Sequence, residues 1–222
     1  NNMSEIPKEK YVQIAEKIAA LMPNKGYDSQ RFGWYDVVER VLGEDEKFHR
    51  YAWHDRKAWW QQEQGILAYL ILQGHMPEKE EYKKYSDESA AYYNAFFLDN
   101  NDGGVYFNVL ANGVPYLMGT ERYKGSHSMS AYHSTELCFL STVYIDLMIK
   151  KRPMDLYFKP LPNGFKDRQL RVEPDILPKG SIKIVACQID GQKYENFDAD
   201  GLVVQLPESD ARLKVKVTVS PK

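Results

Sequence analysis

The chain has 222 residues, 43% of them hydrophobic and 27% charged, with Lys and Arg totalling 29 against 31 Asp and Glu for a net charge of −2. That balance suits a folded globular protein and excludes the basic excess that binds nucleic acid or an anionic membrane surface. The length fits one large domain, or one domain with a small satellite, and the two cysteines, Cys138 and Cys187, make no disulfide framework.

The opening "NNMSEIPKEK" lacks the basic start and apolar core of a signal peptide, and no stretch approaches the ~20 apolar residues of a membrane-spanning helix. Reduced thiols in a cytoplasmic protein are therefore expected. The first residue is not Met, which suits a processed product or a fragment of a longer parent.

"PKEKYVQIAEKIAALM" spaces Tyr11, Ile14, Ile18 and Leu21 at three and four residues, predicting an amphipathic helix that Pro23 closes. "GWYDVVER" (33–40) then pairs with "EKFHRYAW" (46–53) around Gly43. "AWWQQEQGILAYLILQG" predicts a second helix ended by Gly74 and Pro77, and "PEKEEYKKYSDESAAYYNAFFLD" a third. "GGVYFNVL" (103–110), Asn112-Gly113 and "VPYLMG" (114–119) form a second hairpin. "SAYHSTELCFLSTVYIDLMIKK" is the fourth helix, with Lys150 and Lys151 suited to the negative end of its dipole.

The two hairpins share a lead-in, "GYDSQRFGWYDVV" and "FLDNNDGGVYFNVL", which marks an internal repeat of a helix-pair unit with its hairpins on one side. From Pro153 onward, short β-branched runs ("MDLYFKPL", "QLRVEPDIL", "SIKIVACQI", "LVVQL", "RLKVKVTV") alternate with Pro, Gly and Asp. Residues 1–152 therefore read as a mainly helical portion, and 153–222 as a small antiparallel β-sandwich.

Chemistry concentrates in "HDRKAWWQQEQGIL" (54–67). Trp59 and Glu63 share one side of the second helix, as do Trp60 and Gln64, and the apolar side continues at Ile66, Leu67, Leu70 and Ile71. Such a cluster suits either a pocket mouth, with indoles against sugar C–H faces and polar groups on hydroxyls, or tryptophans packed at an interface. His133, one turn into the fourth helix, is a candidate general acid or base, with Glu136 at i+3 to orient its imidazole. His127, six residues earlier, reaches towards the same region. No cysteine pair has zinc spacing and no two histidines fall at i,i+4, so neither a metal nor another cofactor is expected.

"GWYDVVER", "WWQQEQGIL", "DGGVYFNVLANG" and "YHSTEL", in this order, resemble the N-acylglucosamine 2-epimerase and cellobiose 2-epimerase superfamily over residues 26–150. The resemblance implies an α/α barrel whose hairpins build one rim around a sugar pocket. By position it makes Trp59 and Trp60 the family's double tryptophan, Gln62 its glutamine and His133 its catalytic histidine. The implied chemistry is His-mediated proton transfer at C2 of an aldose or of an oligosaccharide's reducing end.

Three departures stand out. The family's glutamate falls on Gln64, while Glu63 occupies the place of a small residue. The tryptophan expected five residues before the catalytic histidine is Ser128. The earlier helices, including the one bearing the partner histidine, have no counterpart. The chain thus matches the second half of a barrel and is expected to bind a complementary N-terminal half, or to form a homo-oligomer. Two other readings stand beside the epimerase: a non-catalytic carbohydrate-binding or interaction protein, and an α/α-barrel hydrolase or lyase using Glu63 and Glu136. The β domain is expected to serve docking or structure.

Overall fold

A computed structural model describes residues 8–119, 123–124, 129–165, 167–174 and 176–222. The chain divides into two compact units, Asn1–Ser141 and Thr142–Lys222.

In the first unit, helix α1 spans Lys8–Lys25 and runs through Pro23 instead of stopping there. A proline at 23 cannot donate to the carbonyl of residue 19. That carbonyl is claimed by the Tyr69 hydroxyl at 2.8 Å, and Gly26 N bonds Met22 O at 2.9 Å, so the final turn survives. The apolar stripe of α1 is not its packed face. Ala19 is buried, while Tyr11 and Ile14 are exposed, Ile18 is 55% exposed and Leu21 60%.

Strand β1 (Ala52–Ala58) leads directly into helix α2 (Trp59–His75), and Met76–Lys79 turn the chain into α3 (Glu80–Tyr92). The axis of α3 continues as a single π-helical stretch, Tyr93–Phe97. Strand β2 (Asn108–Leu110) pairs antiparallel with β1, with Arg56 opposite Leu110, Lys57 opposite Val109 and Ala58 opposite Asn108. This link between the two hairpin regions has no local sequence signal, because its partners lie some fifty residues apart. The proposed hairpins do close, by sparse pairing: Val38 bridges Tyr51 and Val109 bridges Pro115.

The internal repeat is visible atom by atom. Tyr27 bridges Trp34, and Leu98 bridges Val105. Asp28 Oδ1 accepts from the backbone N–H groups of Gln30 and Arg31, as Asp99 Oδ1 does from Asn101 and Asp102. Each turn is tied by a lysine. Lys57 bonds Asp28 Oδ2 at 2.9 Å and the Phe32 carbonyl, while Lys124 bonds Asp99 Oδ2 and the Gly103 carbonyl, both at 2.8 Å. Lys57 is wholly buried, its ammonium 4.0 Å from the Tyr92 ring centroid. Burial pushes its pKa down to about 8 against the pull of Asp28.

Two apolar clusters hold the unit together: Trp59, Ile66, Tyr92, Tyr93, Phe97, Phe107 and Val109, and Ala19, Trp34, Tyr69, Leu72 and Tyr82. Gly65 permits Trp34 to lie against α2, since a Cβ there would fall 2.3 Å from the indole Nε1.

Helix α4 (Tyr132–Val143) continues as a π-helical stretch, Tyr144–Ile149, and the division between units falls within this run. The second unit then holds a four-stranded antiparallel sheet, β3 (Met154–Phe158), β9 (Val215–Pro221), β5 (Ile182–Ile189) and β6 (Gln192–Lys193). A three-stranded sheet contains β4 (Gln169–Arg171), β8 (Val203–Gln205) and β7 (Phe197–Asp198). Alternate residues of β9 are buried (Val215, Val217 and Val219), as period-two patterning requires. Among the described residues, no helix is long and apolar enough to cross a membrane.

Candidate functional site

An open cleft of about 450 Å³ lies where β1 gives way to α2. Ala58, Trp59 and Trp60 come from that junction, Phe107 and Asn108 from the β2 region, and His133 from α4. The β1–β2 register is what brings them together, because it sets Asn108 directly opposite Ala58.

His133 neighbours both indoles, its ring centroid 6.1 Å from Trp59 and 6.0 Å from Trp60. Gln64 Nε2 lies 3.3 Å from His133 Nδ1 and donates to Glu136 Oε2 at 2.8 Å, while that carboxylate oxygen is 3.8 Å from Nδ1. Gln64, His133 and Glu136 therefore form one partly exposed polar cluster. Gln64, not Glu63, reaches this cluster, because Tyr93 and Ser134 engage the Glu63 carboxylate.

Glu63 points elsewhere. It is wholly buried, and its Oε1 accepts from the Tyr93 hydroxyl at 2.5 Å and the Ser134 hydroxyl at 2.6 Å. Burial raises its pKa above the usual carboxylate range, with the Ser134 and Tyr93 hydrogen bonds opposing the rise. Gln62 is wholly buried too. Its Oε1 accepts from Trp34 N at 2.7 Å, and its Nε2 donates to the carbonyls of Trp34 (2.7 Å) and Ala58 (3.1 Å), which saturates the amide. Both residues fasten elements around the cleft. His127 and Ser128 lie outside the described residues.

Six lining residues, Asp36, Trp53, Arg56, Ala58, Phe107 and Asn108, escape a reading of local motifs. Arg56 Nε donates to Asp36 Oδ2 at 2.6 Å, and its guanidinium lies 4.6 Å from the Trp53 ring centroid. With Asn108, these residues complete the wall facing His133. The signal for Asn108 was present in the sequence: one amide inside "VYFNVL", where every neighbour on the strand seeks burial. Asn108 is wholly buried, and among the described residues neither its Oδ1 nor its Nδ2 has a hydrogen-bond partner; the indole Nε1 of Trp59 is likewise unpartnered there.

Past Trp60 the surface continues as a mainly apolar groove of about 480 Å³ between α2 and α1, with Ile18, Met22, Trp34 and Tyr69 among its lining. Among the described residues, no group of His, Cys, Asp and Glu is arranged to hold a metal ion.

The arrangement provides aromatic walls, hydrogen-bonding groups and one imidazole backed by a carboxylate. These parts suit a polar ligand with apolar faces, and a proton carried to or from it.

No protein-family model matches the chain, and no curated protein matches it. Among solved structures, the chain is similar to a cellobiose 2-epimerase from Bacillus thermoamylovorans B4167, at 20% identity and a TM-score of 0.48, covering 61% of this chain and 31% of that one. A D-mannose isomerase is similar at 18% identity and a TM-score of 0.49, covering 63% of this chain and 34% of that one. A sugar epimerase from a ruminal bacterium is similar at 15% identity and a TM-score of 0.45, covering 62% and 32%. The chain spans about a third of the length of these proteins. Likeness at this level concerns partial backbone course and assigns no residue here.

Proposed function

We propose that the cleft is the sugar site of a 2-epimerase or isomerase acting on an aldose or an oligosaccharide's reducing end, with His133 as an acid/base. The observation that carries this reading is the His133 imidazole beside both Trp59 and Trp60, with Glu136 and Gln64 on its Nδ1 side. Sugars have apolar C–H faces that stack on indoles, and a proton next to a carbonyl is acidic enough for imidazole to exchange.

In this mechanism a base removes the C2 proton and its bonding electrons move towards C1, giving an enediolate. Return of a proton to C2 on the opposite face gives the epimer, and return to C1 gives the ketose. Glu136, with Oε2 3.8 Å from Nδ1, orients the imidazole. Gln64 links the two groups, its Nε2 lying 3.3 Å from Nδ1 and donating to Glu136 Oε2 at 2.8 Å. Trp60 flanks the sugar, while Gln62 and Glu63 act from behind, holding β1, α2 and α4 in position.

The proposal includes a complementary half-barrel, from another chain or a second copy. The exposed α1 stripe of Tyr11, Ile14, Ile18 and Leu21 supports it, because a face of that spacing normally meets a partner. The β unit, read as a small sandwich, has a docking or structural role.

A second reading, a non-catalytic sugar-binding protein, is favoured by one fact. Among the described residues, His133 is the one histidine that lines the cleft, whereas transfer across both faces of C2 calls for two acid/base groups.

Incubating the complete protein with D-glucose, D-mannose and cellobiose in deuterated water separates the readings. Label appearing at C2, lost in His133→Asn while sugar binding persists, is the expected result. Binding without label on any sugar rejects the epimerase in favour of the binder.

A further inference from the structure

We infer that Asn108, together with the indole N–H of Trp59, reads a pair of neighbouring hydroxyls on the bound sugar and so sets which sugars the cleft accepts; this rests on the sugar reading above. Native proteins leave few buried polar atoms unpaired, because each costs the full desolvation of that group. Among the described residues six buried side-chain atoms lack partners, and three of them (Asn108 Oδ1, Asn108 Nδ2 and Trp59 Nε1) belong to two residues that line this one cleft.

The two residues are neighbours by construction. Asn108 pairs across the β1–β2 ladder with Ala58, the residue before Trp59. Elsewhere in the unit, Gln62 makes three hydrogen bonds and Lys57 bonds both Asp28 and the Phe32 carbonyl, while Gln61 and Glu63 each leave one buried oxygen unpaired but are fastened through their other polar atom. The strand itself does not need the amide, since β2 pairs through its backbone.

A carboxamide offers one acceptor and two donors, and the indole adds a donor. One hydroxyl can donate to Asn108 Oδ1 while its neighbour accepts from Asn108 Nδ2 or Trp59 Nε1, which is the pattern of a vicinal diol. The amide is covered, so a sugar reaches it only with a local side-chain shift. A site of this kind rejects a ligand lacking the hydroxyl, because the buried groups then stay unpaired.

The test measures binding of D-glucose, D-mannose and cellobiose, and of their monodeoxy analogues, to the complete protein and to its Asn108→Leu variant by calorimetry, alongside the melting temperature of each. In the wild type, deleting one of two adjacent hydroxyls should weaken binding by about 10- to 100-fold. Asn108→Leu should bind the parent sugars more weakly, lose the deoxy discrimination, and melt at or above the wild-type temperature, because two unpaired atoms have been removed. The deoxy series on the wild type needs no variant. If the parent sugars bind but no single deletion matters, or if Asn108→Leu keeps the wild-type discrimination or melts well below the wild type, the assignment of Asn108 is overturned while the sugar reading stands. Failure of every parent sugar to bind the wild type overturns both.

Discussion

Gly65→Ala sets helix propensity against packing. In the interior of α2 this change would by itself gain ~1 kcal/mol. Opposite it, however, the new Cβ would lie 2.3 Å from Trp34 Nε1 and 2.5 Å from Trp34 Cδ1. The indole has no easy retreat. Its Nε1 donates to Ser89 Oγ at 3.0 Å, its ring stacks on Tyr69 at 5.3 Å, and its backbone is held on both sides by the Gln62 amide. Overpacking of this kind costs about 1–3 kcal/mol, and the lost Ser89 hydrogen bond adds roughly 1 kcal/mol. After the propensity gain, the variant should be less stable by about 1–3 kcal/mol. Urea unfolding followed by tryptophan fluorescence measures this unit selectively, since all four tryptophans lie in Asn1–Ser141. A midpoint equal to or above the wild type, with unchanged m, would refute the close approach of Trp34 to α2.

Other expectations concern charge. Glu63 has a raised folded pKa, so its contribution to stability is fully present below the ordinary value of 4.5 and is lost as pH rises through the folded value. Glu63→Gln should flatten the pH dependence of the urea midpoint above pH 4.5 and be at least as stable as the wild type at neutral pH; an unchanged slope counts against it. Gln64→Glu replaces the N–H donor now 2.8 Å from Glu136 Oε2 with a second carboxylate, and should cost about 1–2 kcal/mol at neutral pH. The swap Gln64→Glu/Glu136→Gln should recover most of that loss, as read by melting temperature, and failure to recover would dismiss the pairing. Lys57→Met leaves the nearly buried Asp28 carboxylate without its partner, at a cost of about 3–5 kcal/mol. Adding Asp28→Asn should restore most of it, and additive losses in the double-mutant cycle would show that the pair is not coupled.

Much of the local architecture was legible in the chain: the helix at "WWQQEQGIL", the Asn112-Gly113 turn, and the repeated lead-ins that become the matched Asp28–Lys57 and Asp99–Lys124 ties. Each is a local signal, a period or a turn residue acting within a few positions. The same periodicity marked the α1 stripe but not what lies opposite it, and the structure buries Ala19 while leaving Ile18 and Leu21 exposed. Local spacing also could not decide among Gln62, Glu63 and Gln64. That choice falls to Trp34, Tyr93 and Ser134, which occupy the first two and leave Gln64 to His133 and Glu136.

The sequence by itself marked the four helices, and the double tryptophan and His133 as candidates. Tertiary structure decided which of them meet, because the β1–β2 pairing of Ala58 with Asn108 joins segments fifty residues apart. Side-chain period orients a residue on its own helix or strand. Only the opposing element determines whether its polar atoms are satisfied, and at Asn108 none of those neighbours does so.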